Sequence, residues 1–419
     1  MSIFIKNVLL YNKKTNVYIE NNKINYIGDA QKKAETIING EKKAILPTLV
    51  NGHTHAAMTL LRGYGDDMHL QEWLQNKIWP VEAKMTEEDV YWGTKLACLE
   101  MIKSGVTLFC DMYWHLHGNA RAVEEIGIRA LVSAVFIDFF DKEKAKEQQK
   151  ENEKLFEQAK KYSSRIKFAL GPHAIYTVSG ESLKWLANFA KQNDIQVNIH
   201  LAETQHEVDE CKKQHGVTPA EYLEKLGVFE ADVLASHGIY LTDEDLDIVK
   251  KYNVNLIHNP TSNLKLASGN FFRYPEIKKR NISFCIGTDG CASNNNLDMF
   301  EELKFAALLQ KYIYNDTTMF TCHEAWNTAT KKAHKIFNVD AGEIKEGKLA
   351  DVMLVDLNNI QMIPNHDIIS NLVYSANNEI VDTVICNGKI LMQNRKIDGE
   401  QEILNKVAKL SKEIVNRKS

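Results

Sequence analysis

Ala44-Ile45-Leu46-Pro47-Thr48-Leu49-Val50-Asn51-Gly52-His53-Thr54-His55 is an apolar run that ends on two histidines. Its texture recurs along the chain. Residues 106–113, 128–139, 166–173, 197–203, 233–239, 254–260 and 282–290 are likewise short apolar runs, often β-branched, separated by longer segments with helical periodicity. Strands covered on both faces read as near-continuous hydrophobic runs, so eight of them separated by helices predict a parallel TIM (β/α)8 barrel. Residues 142–161, dense in Lys and Glu, read as a solvated helix between the third and fourth strands.

The two ends of the chain have a different rhythm. Residues 1–46 alternate short apolar runs with polar turns, as a strand meander does. The same pattern returns in 350–356 and 381–390, where Asn387-Gly388 has the form of a tight hairpin turn. A small β-sandwich domain built from both ends is therefore expected. Residues 1–46 form its first part, 47–345 the barrel, and 346–419 its second part with a terminal helix. Ile403, Val407, Leu410 and Ile414 stand at helical spacing and place that helix over 400–418.

Composition narrows the partners. With 51 Lys+Arg against 55 Asp+Glu the net charge is −4, and no basic patch stands out. A chain held by phosphate contacts carries a basic excess, so a nucleic-acid partner is not expected. A hydrophobic fraction of 44% excludes a disordered chain. The seven cysteines are odd in number, widely spaced and without a Cys-x-x-Cys pair, which reads as reduced thiols of a cytosolic protein. No apolar window approaches the roughly 20 residues of a membrane span, and the first residues lack a basic, apolar leader. A soluble, cytoplasmic protein with no membrane partner is expected.

Reactive groups of such barrels collect where strands end, on the carboxyl face. His53 and His55, at i and i+2 of an extended segment, point to one side and can reach one ion. The fourth run ends in Pro172-His173, the fifth in His200-Leu201-Ala202-Glu203, the sixth in Ser236-His237-Gly238 and the eighth in Thr288-Asp289-Gly290. Three imidazole nitrogens and one carboxylate suit Zn²⁺ or Fe²⁺, with water completing a catalytic shell. Strict alternation would put His200 and Glu203 on opposite faces, so the fifth strand must end or twist near Ala202 for both to serve one site. His258 either lines the mouth or is a structural histidine. His115 and His117 read as loop residues facing solvent.

These residues resemble the amidohydrolase superfamily, and the likeness covers almost the whole chain. The resemblance runs through Asn51–Gly63, Gly171-Pro172-His173, His200–Thr204, Asn259–Leu266, Gly287–Asn295 and Glu343–Asp351, and is nearest to the branch of S-adenosylhomocysteine and 5'-methylthioadenosine deaminases. It implies one divalent metal, Zn²⁺ or Fe²⁺, held by His53, His55, His200 and Asp289, since His173 occupies the place of the metal-bridging lysine of binuclear relatives. Water bound to such an ion loses a proton near neutral pH and can attack C6 of an adenine. In the implied reaction Glu203 protonates N1, Asp289 accepts the water proton and passes it toward the leaving ammonia, and His237 orients the nucleophile. Glu82 is implied at the ribose hydroxyls, Trp73 against the nucleoside, His173 near the ribose and its 5' substituent, and Ser293 by the purine. The expected partner is a small nucleoside, and the family likeness implies a homo-oligomer.

One departure is informative. The resemblance leads one to expect an arginine just after Arg129-Ala130-Leu131 to grip a homocysteine carboxylate, but Ala134 stands there. Lysine is a poorer bidentate partner, so weight moves toward 5'-methylthioadenosine, 5'-deoxyadenosine or adenosine. Two other readings compete: an amidohydrolase of guanine- or triazine-type rings, and a binding protein on a degenerate barrel. The His-x-Glu and Pro-Cys-x-x-Cys hallmark of cytidine-type deaminases is absent.

Overall fold

The computed structural model describes residues 1–417. Eight parallel strands, Leu49–Thr54, Val106–Tyr113, Arg129–Phe136, Ile166–Pro172, Gln196–Leu201, Val233–His237, Asn255–His258 and Phe284–Ile286, pair in chain order as the first to the eighth strand of a nearly closed barrel. Side chains complete the circle. Thr288 N donates to Asn51 Oδ1 at 3.0 Å and Asn51 Nδ2 to Thr288 Oγ1 at 2.8 Å, while Asp289 N donates to the His53 carbonyl at 2.9 Å. The approach depends on Gly287, where a Cβ would stand 2.5 Å from His53 N.

The first run is the one that reads differently in three dimensions. Residues 44–55 are two strands in two sheets: Lys43–Pro47 pairs with Val352–Asp356, and only Leu49–Thr54 enters the barrel. Pro47 has no N–H to carry the ladder onward, so the chain changes partner there.

The lumen is solid at its amino end. Val50, Leu108, Leu131, Leu234, Ile257 and Cys285 form an apolar layer that Ala333, Ile336 and Phe337 plug from below. In the fifth strand Asn198 takes the corresponding place, its Nδ2 donating to Ser133 Oγ at 3.1 Å and to Cys110 Sγ at 3.3 Å. Outward-facing residues pack on the surrounding helices, one of which, Glu87–Lys103, starts on a reciprocal Thr86–Asp89 capping box.

The chain ends supply a second, mixed sheet. Ser2–Leu10, Lys13–Glu20, Lys23–Gly28, Thr36–Asn39 and Lys43–Pro47 join Val352–Asp356, Val381–Cys386 and Lys389–Met392. Its two halves meet at one residue pair, Leu9 with Ala44, and fold Ile3, Ile5 and Ile19 onto Ile45, Val352 and Leu354 in a common core. Asn387 and Gly388, at φ 51° and 74°, close the expected hairpin. Buried Arg129, at the start of the third strand, binds Asp351 (Nε to Oδ2, 2.6 Å) and Asn387 (Nη2 to Oδ1, 2.7 Å), tying sheet to barrel. The terminal helix Glu400–Asn416 buries Ile403, Val407, Leu410 and Ile414 beside Val90 and Leu99, on the flank of the barrel. Lys418, the end of the expected helix, lies outside the described residues. Among the described residues no helix is long and apolar enough to cross a membrane.

Candidate metal centre and active site

The carboxyl end of the same barrel is polar. His53 is fully buried and neither ring nitrogen has a hydrogen-bond partner, an arrangement that costs free energy unless something outside the protein fills it. His53 Nε2 and His55 Nε2 stand 3.5 and 3.2 Å from Asp289 Oδ1. The His200 ring lies 4.9 Å from that of His53 and 5.4 Å from that of His55. His55 directs Nδ1 at the Met112 carbonyl (2.6 Å) and His200 directs Nδ1 at the His173 carbonyl (2.7 Å). A carbonyl only accepts, so both Nδ1 atoms carry protons and both Nε2 atoms are the ones turned to the site. The donor set fits a divalent ion.

Electrostatics point the same way. Burial pushes the His53 imidazole down to about 4, against the pull of Asp289, and holds His200 well below the ordinary range, so both are neutral. Burial also opposes a charge on His55, but the Asp289 hydrogen bond and charge outweigh it and raise the group to about 9. Asp289 itself is held well below the usual carboxylate range, its burial overcome by His53 and His55. This carboxylate demands positive charge beside it.

Three mouth residues adopt the left-handed backbone that side chains other than glycine rarely take: Ala202 at φ 48°, His237 at 73° and Asp289 at 65°. The fifth strand stops at Leu201, and the turn at Ala202 brings Glu203 to the side of His200. Glu207 fixes that turn, accepting from Ala202 N and Glu203 N, both at 2.9 Å. Glu203 Oε2 then faces His237 Nε2 at 3.7 Å. Burial, helped by the charge of Asp289 and opposed by His237, raises the Glu203 pKa.

A pocket opens over this cluster, with Trp73, Trp79, Met58 and Leu70 among its walls and His55, His200, Glu203, His237 and Asp289 among its polar groups. Glu82, His173 and Ser293 also line it. His53 lies beneath. Burial raises the Glu82 carboxyl, and the Tyr113 hydroxyl faces it. A second cavity of about 760 Å³ continues outward past Trp79, Glu82, Tyr113 and Val135 and reaches Ala134; among the described residues no lysine or arginine lines it. The remaining histidines lie apart. His258 is stacked on Phe272 at 4.4 Å in a different cavity. His115 is exposed, as expected, with Nε2 at the Met85 carbonyl, whereas His117 is half-buried between Tyr162 and Gln158; both line the outer cavity.

The amidohydrolase family model matches residues 44–391, most of the chain. The chain belongs to that family. This amidohydrolase is 46% identical over 385 residues to a 5'-deoxyadenosine deaminase of Methanospirillum hungatei, covering 92% of this chain and 86% of that one. It is 44% identical to 5-methylthioadenosine/S-adenosylhomocysteine deaminase 1 of Archaeoglobus fulgidus, over 99% of both chains. A crystal structure of an adenosine deaminase from Xanthomonas campestris with bound zinc superposes with a TM-score of 0.92 at 32% identity, over 99% of this chain and 98% of that one.

The groups that hold the mouth of this amidohydrolase in shape escape the sequence reading. Buried Asp111 accepts from Thr54 Oγ1 (2.7 Å) and Ala56 N (2.6 Å), clamping the His-x-His segment. Ser262 donates to Asp289 Oδ2 at 2.7 Å, so the oxygen turned to the histidines is Oδ1, which also accepts from Gly290 N at 2.9 Å. Asp111 sits inside an apolar run and offers a signal as a charged residue there. Glu207 and Ser262 look like ordinary helix residues and offer none.

Proposed function

We propose that this amidohydrolase is a metal-dependent hydrolase that deaminates adenosine-type nucleosides, turning the adenine and water into the inosine analogue and ammonia. The observation that carries the reading is a pair of candidate ligand triplets that share His53, one with His55 and Asp289 and the other with His200 and His237, at a pocket that Glu203 also lines. A divalent ion held by His53, His55, His200 and Asp289, Zn²⁺ or Fe²⁺, would polarise water enough to make it nucleophilic near neutral pH.

The chain's own groups do the rest. Glu203, whose burial favours the protonated form, delivers a proton to N1 as water adds at C6 and recovers one from the C6 hydroxyl as the carbonyl forms and ammonia leaves. Asp289 takes the water proton and passes it to the departing amine. His237 hydrogen-bonds the attacking oxygen. Glu82 accepts from the two ribose hydroxyls, which suits an acceptor with two oxygens. Trp73 packs against the nucleoside, Ser293 borders the purine and His173 the ribose.

With the base at the metal centre and the ribose at Glu82, the 5' substituent enters the outer cavity. The lack of any guanidinium there supports 5'-deoxyadenosine, 5'-methylthioadenosine or adenosine over S-adenosylhomocysteine. A homo-oligomer in the cytoplasm belongs to the same reading, on family likeness.

The test is a panel of nucleosides that differ only at the 5' group, read by ammonia release and the ultraviolet change from adenine to hypoxanthine. Turnover is expected with the neutral 5' groups and weaker with S-adenosylhomocysteine. Silence on every adenosine analogue, with turnover of guanine or a triazine, would refute the proposal.

A further inference from the structure

His237 lies near enough to His53 and His200 to form a ligand triplet with them, as His55 and Asp289 do with His53. Grouping by distance therefore leaves its role open. Its hydrogen bonds decide it. Asn263, in the short helix Pro260–Lys265 after the seventh strand, is buried and places its amide Nδ2 3.0 Å from His237 Nδ1. The same Nδ2 also faces Ser268 Oγ at 3.5 Å, and the backbone of Asn263 is anchored at both ends, its N–H donating to the Asn259 carbonyl and its carbonyl accepting from Ser268 N, both at 3.0 Å. An amide nitrogen only donates. Nδ1 of His237 must then be the acceptor, and a neutral ring carries its proton on Nε2, the atom that faces Glu203 at 3.7 Å.

This is the opposite tautomer to His55 and His200, whose Nδ1 atoms face carbonyl oxygens. A protonated Nε2 has no lone pair for a cation and none for a proton from water. We propose that Asn263 is a positioning residue that fixes His237 as a hydrogen-bond donor into the pocket, excluding it from the ligand set and from the role of general base. The inference rests on the reading of the mouth as the reacting centre, but its first test is independent of any substrate.

That test is the ¹⁵N spectrum of histidine-labelled, full-length protein loaded with Zn²⁺, with the His237 signals assigned by their loss in His237→Asn. A bare Nδ1 and protonated Nε2 are expected, and Asn263→Asp, which offers only acceptors, should move a proton onto Nδ1. In steady-state assays Asn263→Asp and Asn263→Leu should lower kcat by about 10- to 100-fold with little change in KM, the usual cost of losing an orienting partner. A protonated Nδ1 with a bare Nε2 in the unmutated protein overturns the proposal, whether or not any nucleoside is turned over. Unchanged kcat in both variants overturns it as well.

Discussion

The two ends of the barrel are made by the same eight strands and behave as different materials. At the amino end Val50, Leu108, Leu131 and Leu234 meet Phe337 in a close-packed apolar layer. At the carboxyl end the next inward positions are His53, His200, His237 and, just beyond the eighth strand, Asp289, two of them in left-handed backbone and one, His53, with neither ring nitrogen hydrogen-bonded. One end gains by burying apolar surface; the other bears strain and desolvation. The difference teaches that stability and chemistry are separable along a strand by only a few residues.

The sharpest way to break that comparison is to remove the proposed ligands at the mouth. His53→Ala or His200→Ala, or exhaustive chelation, should abolish deamination and the bound metal measured by elemental analysis, and should lower the Tm only by what ion binding contributed. Activity that survives loss of the metal would refute the assignment. Next in size is Glu203→Gln, which keeps shape and hydrogen bonding but cannot supply the proton. The expected loss in kcat is about 10²- to 10⁴-fold with metal content unchanged. Wild-type turnover in this variant would remove Glu203 from the proton path.

The opposite end should answer to a different assay. Phe337→Ala, at a fully buried position, should cost about 3–5 kcal/mol in denaturant unfolding while kcat at low temperature stays near wild type. A selective loss of kcat would show that the two ends are not separable.

The smallest effect concerns a buried carboxyl behind the mouth. Burial pushes the Glu302 carboxyl up to about 8, although Thr261 and Asn294 donate to it. An acid whose pKa is higher folded than unfolded binds more protons in the native state, so its contribution to stability is present below about 4.5 and is lost as pH rises toward 8. Glu302→Gln should therefore flatten the fall of Tm between pH 5 and 8 and matter least at pH 5. A profile parallel to wild type across that range would contradict the buried, proton-holding state.

Much of this was legible in the chain. The barrel strands appear as apolar runs because both their faces are covered, and His53, His55, His173, His200, His237 and Asp289 are visible because they interrupt those runs at their ends. The meander of residues 1–28 and the Asn387-Gly388 hairpin follow from local turn chemistry alone. The domain boundary is expected between residues 46 and 47, but the run 44–55 reads as one strand, since an apolar run does not state which sheet each part of it joins. Of His115 and His117, both read as solvent-facing, His115 is exposed, but His117 is half-buried, because Gln158 and Tyr162, far along the chain, cover it.

By itself the sequence determined the barrel, the paired chain ends and the chemical types gathered at the strand ends, since periodicity and residue type are local properties that survive without coordinates. Only the tertiary structure decided which nitrogen of each histidine faces the site, which oxygen of Asp289 is left for the histidines, and how Ala202 turns Glu203 to the mouth. Those depend on Met112, the His173 carbonyl, Glu207, Ser262 and Asn263, several of them distant in sequence from the groups they hold. Hydrogen bonds between separate strand ends are set by the closure of the barrel, and no pattern within one run encodes them.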